Sequence, residues 1–364
     1  MNRRTPVGLL IVTLLLLLLV ALRPSSPPVG EEEAAPEALA TPLGSRINDT
    51  AVVELIRPGE TLRLRRDDSG HWGLESRGGY SADPKRLRKL LLAASRFRAL
   101  EPRTGNPERF AKLGVEDPDA EGSDSTRLRL LDREGDALLD VIVGNTRSAA
   151  GRLGEEEVYI RLPGASRAWL AAPALPVKGE PVEWLDRRIV DVAGERLARI
   201  VVRHPDGETL IFRRGEREEA GMELEGVGEE EKIKAPWRLR QVTRLFERLD
   251  LDDVARADER PLDRDKAVKV EAETREGLKL IVWIAEGEGS GSLIQLETTA
   301  VEREGDEAAE TGNTDEKTPA PREESEAINA RVTGWTYTIP RYMADYVRIH
   351  RGDLVEPKSN PEQN

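Results

Sequence analysis

The chain has 364 residues, a formal net charge of −13, 38% hydrophobic residues and 4% aromatic residues. This length allows one large domain or two ordinary domains, each with a sizeable core. The sequence has no cysteine, which excludes disulfide scaffolds, thiolate zinc sites, iron–sulfur clusters and cysteine nucleophiles, and the pI of about 5.1 gives nucleic-acid binding little electrostatic support.

An uncharged, mainly aliphatic run of sixteen residues, Val7 to Leu22, follows Arg3 and Arg4. A membrane-spanning helix needs about 20 residues, whereas the apolar part of a signal peptide reaches about 15, so the length is compatible with an anchor or with a signal peptide. The run ends in VALRP, without a pair of small residues before a cleavage site, which favours an uncleaved anchor over residues 1–23. The two arginines then keep the amino terminus cytoplasmic, and the bulk of the chain is periplasmic, with a single pass through the inner membrane.

Two acidic segments have the composition of disordered chain. Residues 24–46 contain five prolines and four glutamates against one arginine, and residues 302–326 carry ten acidic against three basic residues, a net charge of −7. Both have too little apolar surface to offset the entropy of ordering. We therefore predict a Pro/Glu tether at 24–46 and a disordered acidic insertion at 302–326.

The remaining sequence repeats itself. Residues 51–66 and 199–214 both contain Gly-Glu-Thr-Leu after a proline-containing turn, at an offset of 148 residues. Apolar and polar residues alternate on either side of each turn, which predicts a β-hairpin in each copy. A second pair of hairpins is predicted at 128–144 and 270–286, where Arg-Glu-Gly forms both turns.

An amphipathic helix is predicted between the hairpins of each copy. Asp83 is a good N-cap and Pro84 suits the first helical position, and Pro236 begins the corresponding segment of the second copy. Apolar residues then recur at helical spacing. They are Leu87, Leu90, Leu91, Ala94 and Phe97 in the first copy, and Leu239, Val242, Phe246 and Leu249 in the second.

These patterns predict an α+β fold after an N-terminal transmembrane helix. It consists of two tandem similar units of mainly antiparallel sheet, residues 47–190 and 191–364, each of the order ββ-β-α-ββ-β with one amphipathic helix. The strands that end in Tyr159–Pro163 and Tyr337–Pro340 are taken as equivalent, and residues 181–191 join the units.

The sequence contains no signature of a known catalytic or phosphate-binding site. The three histidines, His71, His204 and His350, are too scattered for a metal site and are interpreted as surface or turn residues. The glycine-rich segment 287–291 joins two strand-like runs, so it is interpreted as a hairpin turn. We therefore predict no catalytic, cofactor-binding or metal-binding residue, no cofactor and no enzymatic activity, and we assign no partner-contact residue.

The six tryptophans are the most distinctive side chains that remain. Most are expected in the core or between the units, and a minority in a ligand or partner groove. They are Trp72, Trp169, Trp184, Trp237, Trp283 and Trp335.

Several segments, in this order and spacing, resemble a family of bacterial membrane-anchored proteins known as domain-of-unknown-function family 4340. They are Trp72-Gly-Leu, Tyr80-Ser-Ala-Asp83, Phe110-Ala-Lys-Leu-Gly114-Val-Glu-Asp-Pro118, Val143-Gly144, Val158-Tyr159 and Trp184-Leu-Asp-Arg187. The resemblance runs from the anchor to about Tyr346, with Met222 in place of the tryptophan in the second copy. It implies extracytoplasmic exposure, a repeated domain, and association with ABC-type transport systems related to those of gliding motility, and it supplies no catalytic residues.

Three functional hypotheses follow. The first is a non-enzymatic, membrane-anchored extracytoplasmic accessory or scaffold protein that binds an ABC-type permease complex. The alternative is an extracytoplasmic binding module that holds an envelope polysaccharide or peptide between the two copies. A third is a hydrolase with an unrecognised carboxylate pair such as Asp67-Asp68 or Asp252-Asp253, which requires two carboxylates facing one cleft.

Overall fold

The computed structural model describes residues 35–149, 156–215, 221–287, 289, 291–301 and 320–358. They form mainly antiparallel β-sheet with few helices, which confirms the α+β class. The strands of the first sheet are β1 (Val52–Arg57), β2 (Glu60–Arg66), β3 (Trp72–Leu74), β4 (Tyr80–Ser81), β5 (Arg98–Pro102), β6 (Thr126–Leu131), β7 (Ala137–Ser148), β8 (Glu156–Arg161) and β9 (Ala168–Ala172).

The later strands and the helices follow in chain order. The strands are β10 (Arg188–Val190), β11 (Leu197–Arg203), β12 (Thr209–Arg214), β13 (Met222–Leu224), β14 (Glu231–Ile233), β15 (Leu249–Asp250), β16 (Asp253–Arg256), β17 (Val268–Thr274), β18 (Leu278–Glu286), β19 (Gly291–Ala300), β20 (Trp335–Pro340) and β21 (Val355–Pro357). The helices are α1 (Glu37–Ala40), α2 (Pro84–Ser95), α3 (Phe110–Leu113), α4 (Pro236–Gln241), α5 (Pro321–Val332), α6 (Arg341–Asp345) and α7 (Arg351–Leu354).

Two large antiparallel sheets make up the body. The nine-stranded sheet has the order β4-β3-β2-β1-β6-β7-β8-β9-β5, and the eight-stranded sheet has the order β13-β12-β11-β17-β18-β19-β20-β16. The four predicted hairpins are all present, as β1–β2, β6–β7, β11–β12 and β17–β18. When the two orders are aligned on these hairpins, β8 has the position of β19, and β9 has the position of β20. Tyr159 lies on β8 and Tyr337 on β20, so the predicted equivalence of these two strands is wrong.

The two sheets share one continuous hydrophobic core. Where they meet, the ring of Tyr80 packs edge-on against Trp335, with ring centroids 5.0 Å apart, and against Tyr337 at 5.9 Å. Beside these rings, Arg77 Nε donates to Asp253 Oδ1 at 2.6 Å. Aromatic and charged contacts therefore lie between the sheets, at the place where the alternative hypothesis puts a bound polysaccharide or peptide.

Helix α2 forms as its sequence predicts. The carboxylate of Asp83 accepts hydrogen bonds from the backbone N–H groups of Lys85 and Arg86, at 2.8 and 3.3 Å, and Pro84 stands at the first helical position. Leu87, Leu90, Ala93 and Ala94 are buried in the core. The predicted stripe is therefore confirmed at Leu87, Leu90 and Ala94, whereas Leu91 is half-buried and the buried Phe97 lies beyond the end of the helix.

The helix of the second half is shorter than predicted. Helix α4 ends at Gln241 and continues as a 3₁₀ turn to Leu245, and the chain reverses at Arg248, whose φ is +51°. Leu249, predicted to be helical, pairs with Val190 between β15 and β10. Strand pairing at this reversal therefore overrides the helical spacing of the apolar residues.

Both segments predicted as disordered contain ordered structure. In the predicted tether, residues 24–34 lie outside the described residues, but α1 and a 3₁₀ turn at Gly44–Asp49 follow them. Leu39 is 1% exposed, and Leu43 and Ile47 pack against the core. These three apolar residues explain why the segment orders despite its average composition.

The predicted acidic insertion also ends earlier than expected. Residues 302–319 lie outside the described residues, whereas α5 begins at Pro321, so 321–326 are helical. Ile328 and Val332 are buried, and Arg196 Nη2 pairs with Glu324 Oε2 at 2.7 Å. Acidic residues in the first turn are favourable beside the positive end of the helix dipole.

No helix in the described part of the chain is long and apolar enough to cross a membrane. The predicted anchor, Val7 to Leu22, lies outside the described residues, and it stays a prediction.

Candidate functional site

The outer side of α2, together with the strand that follows it, carries a concentration of positive charge next to exposed leucines. Leu92 is 53% exposed and Leu100 on β5 is 42% exposed, although both are large apolar residues. The surface that we call the α2 face consists of Lys85, Arg88, Lys89, Leu92, Arg96, Arg98 and Leu100.

The cations of the α2 face have no acidic partners within the described part of the chain. The guanidinium of Arg96 donates only to the Leu92 carbonyl, at 3.4 Å, and the side chains of the other four make no hydrogen bond or ion pair with the described residues. Arg86, which lies on the same helix but turns inward, binds the Glu183 carboxylate at 2.7 Å. Because the chain as a whole is strongly acidic, this local surplus of unpaired cations favours an anionic partner.

A groove of about 750 Å³ runs along one side of α2. Its lining includes Ile47 from the 3₁₀ turn after α1 and Thr50, which follows that turn. His71 comes from the β2–β3 turn, Trp72 begins β3, and Leu91 lies on α2. Thr50 is 1% exposed, and its hydroxyl has no hydrogen-bond partner. A buried hydroxyl without a partner costs about 1–3 kcal/mol, so a ligand that reached it would gain a hydrogen bond.

A second depression, of about 820 Å³, lies on the other side of the helix. Lys89, Arg96, Arg98 and Leu100 line it together with Pro42 from the segment after α1. Helix α1 itself contacts β5, so the described chain begins beside the α2 face. This places the unpaired cations next to the point from which the chain continues towards its amino terminus.

The described residues that could hold a metal ion are His204, Glu208 and His350, each with one ligand atom within 4.8 Å of the others. The rings of the two histidines stack with centroids 4.2 Å apart. His71 lies elsewhere, at the groove beside α2. The prediction of scattered histidines is therefore wrong for two of the three. Sequence spacing could not reveal the pair, because the fold brings together residues separated by most of the second half of the chain.

The tryptophans divide largely as expected. Trp169, Trp184 and Trp283 are buried, Trp335 packs at the contact between the sheets, and Trp72 lines the groove beside α2. Trp237 is 51% exposed, which composition alone did not predict.

Neither of the carboxylate pairs Asp67-Asp68 and Asp252-Asp253 lines the groove or the depression beside α2. Burial raises the pKa of Asp253, but hydrogen bonds from Arg260 and Arg77 outweigh burial and lower that pKa below its usual value. Asp253 is therefore held ionised by two guanidinium groups, which suits a structural ion pair better than an acid catalyst.

A family model described as a domain of unknown function (DUF4340) matches residues 72–267, which is more than half of the chain. No curated protein and no solved structure matches the chain.

Proposed function

The chain belongs to the DUF4340 family, and from that premise we propose that it is a non-enzymatic extracytoplasmic scaffold, anchored in the inner membrane and assembled with an ABC-type transport complex. The anchor is Val7 to Leu22, with the amino terminus cytoplasmic. The observation that carries the proposal is the position of the α2 face beside the start of the described chain. The transport complex as partner rests on the family resemblance.

The strand orders support a body built from one α+β unit used twice, over residues 47–190 and 191–364. When β4 is left out, the eight remaining strands of the first sheet occur in the same spatial order as the eight of the second. The shared core and the filled contact between the sheets favour a rigid pair of units. A rigid body suits a scaffold, which must hold its partner at a fixed distance from the membrane.

The length of the intervening chain orients this body. Twelve residues separate Leu22 from residue 35, and at about 3.3–3.6 Å per residue they span at most about 43 Å. Since α1 packs against β5, the α2 face lies at the end of this short connection. We infer that the α2 face is turned towards the lipid headgroups.

The chemistry of the α2 face suits this orientation. Each lysine or arginine close to an anionic lipid surface contributes about 1 kcal/mol, and five such residues of the face have no acidic partner among the residues that the structure describes. Leu92 and Leu100 add exposed apolar area at the same surface. The remaining surfaces of the two sheets are then free to bind a permease.

The groove beside α2 favours a second candidate, a binding module for an envelope saccharide or peptide. Trp72 and the unpartnered hydroxyl of Thr50 line the groove with Arg66, which offers a stacking surface and polar groups to a bound chain. A rise in melting temperature with soluble envelope fragments that disappears in Trp72→Ala supports this candidate. A Trp237→Ala variant is the matched control, because Trp237 is also an exposed tryptophan but does not line the groove.

Affinity capture of the full-length chain from mild detergent tests the scaffold proposal. We expect a permease subunit and an ATPase subunit to co-purify above the level found with an unrelated anchored protein. If neither subunit is enriched in a quantitative comparison, assembly with a transport complex is refuted.

A further inference from the structure

We propose that His204, Glu208 and His350 bind one divalent transition-metal ion of the zinc type, in a site that fastens the carboxyl-terminal segment to the second sheet. His204 directly follows β11, and Glu208 directly precedes β12, so one hairpin turn carries both residues. His350 directly precedes α7. Imidazole nitrogen and carboxylate oxygen are typical ligands of zinc, and two histidines with one carboxylate leave an open position for water.

The first histidine has one ring nitrogen held by the backbone and the other left for a metal ion. His204 is 7% exposed, and its Nε2 lies 3.0 Å from the carbonyl oxygen of Ile349. A carbonyl oxygen only accepts, so Nε2 carries the proton and donates it. Nδ1 is then the ring nitrogen that remains for a metal ion, and ligand histidines commonly donate their other N–H to a backbone carbonyl in this way.

Glu208 already joins the hairpin to the carboxyl-terminal segment. Nδ1 of His350 donates to Glu208 Oε2 at 2.6 Å, and the backbone N–H of Arg351 donates to Glu208 Oε1 at 3.1 Å. A metal ion takes the place of the proton between His350 Nδ1 and Glu208, and the proton moves by way of the solvent to Nε2, so that the bound ring stays neutral.

The ligand atoms are close enough to converge. Zinc bonds to nitrogen and oxygen are about 2.0–2.2 Å long, so the three atoms must approach one another by small side-chain rotations from separations within 4.8 Å. The side chains of His350 and Glu208 are 52% and 29% exposed, which leaves room for these rotations. The buried His204 supplies the fixed point.

The surrounding charges are mixed. Asp206 Oδ2 lies 3.9 Å from Nδ1 of His350, so a second carboxylate is within reach of the ion. Lys266 and Arg348 line the adjoining cavity, but Asp263 binds the lysine ammonium at 2.8 Å, and Glu286 shares the wall with the arginine. With neutral histidines, the two carboxylates give the ligand set a charge that attracts a dication.

The test uses full-length protein in mild detergent, freed of metal with a chelator and titrated with Zn²⁺ by calorimetry. We expect one ion per chain and a higher melting temperature with Zn²⁺ than with Mg²⁺. Glu208→Gln and His350→Gln should each weaken binding at least about tenfold, a loss typical even of outer-shell changes at metal sites. His71→Gln, which alters an exposed histidine outside the cluster, should bind as the parent does.

X-ray absorption of the zinc-loaded chain adds a structural readout, with two imidazole ligands expected and one of them lost in His350→Gln. Circular dichroism of each variant verifies that it is folded. Absence of stoichiometric zinc binding in the parent chain overturns the proposal. Full retention of binding in both Glu208→Gln and His350→Gln overturns it as well, because the ion would then lie elsewhere.

Discussion

The ion pair between Arg77 and Asp253 should contribute more to stability than a surface ion pair of equal length, because it lies where the two sheets meet. The Arg77 Nε–Asp253 Oδ1 distance is 2.6 Å, and the two side chains are 34% and 30% exposed. Arg65 and Glu75 form a pair of the same 2.6 Å length, but those side chains are 54% and 40% exposed. The second pair is therefore a matched control.

The expected magnitudes follow from exposure. Hydrogen bonds to charged groups contribute about 1.5–3 kcal/mol when buried, whereas exposed pairs contribute about 0.2–1 kcal/mol. With about one third of each side chain exposed, we expect a coupling energy of about 1–2 kcal/mol for Arg77 and Asp253. For Arg65 and Glu75 we expect about 0.5 kcal/mol or less.

Double-mutant cycles with alanine at each position, measured by urea unfolding at pH 7, give both coupling energies. All variants should unfold in one transition, because the sheets share their core. A coupling energy for Arg77 and Asp253 no larger than that of the control pair would refute the claim that this contact holds the sheets together.

Three further predictions concern other parts of the body. Burial opposes the ionisation of Glu271, but hydrogen bonds from Lys269, Lys279 and Arg203 outweigh it and lower the pKa from 4.5 to about 2. The stability that ionised Glu271 gives the fold is therefore present above about pH 4.5 and is lost as the pH falls towards 2. Glu271→Gln should lower the free energy of unfolding by up to about 3 kcal/mol at pH 7 and by much less at pH 3. Equal losses at both pH values in urea unfolding contradict this prediction. In Gly144→Ala the new Cβ would lie 2.3 Å from the Leu113 carbonyl oxygen, which should destabilise the chain by about 1–3 kcal/mol. Gly352→Ala is the control, because its Cβ meets open space and should change stability by less than about 0.5 kcal/mol. Similar thermal unfolding of both variants would show that the close approach at Gly144 is unimportant. The Asn329 side chain accepts from the Thr298 N–H at 2.9 Å and donates to the Thr298 carbonyl at 2.7 Å. Asn329→Ala should therefore lower the free energy of hydrogen-exchange protection in α5 by about 1–3 kcal/mol. Unchanged protection would argue that these two bonds do not hold α5 on β19.

The hairpins and α2 could be predicted because their signals are local. In β17, residues at alternate positions are buried, and the Arg-Glu-Gly turn that follows is read directly from the sequence. Helix α2 has its cap and its first proline next to each other, at Asp83 and Pro84. In each case a few neighbouring residues determine the conformation.

The remainder depends on contacts between distant residues. Average composition concealed Leu39 and Ser325, which become buried only when α1 and α5 reach the sheets. The packing of Tyr80 against Trp335 and the stacking of His204 on His350 join residues that no spacing rule relates. Unpaired cations could not be recognised either, since arginines that bind carboxylates look the same in the sequence.

The orientation of the body on the membrane is the central claim, and fluorescence quenching tests it most directly. Because the chain has no cysteine, Leu92→Cys and Tyr342→Cys each provide a single labelling site, at positions that are 53% and 60% exposed. The full-length variants carry the same dye and are reconstituted into vesicles of anionic lipid with a quencher on the headgroups. We predict strong quenching at position 92 on the α2 face and little at position 342. Equal quenching at both positions, or stronger quenching at position 342, would contradict the proposed orientation.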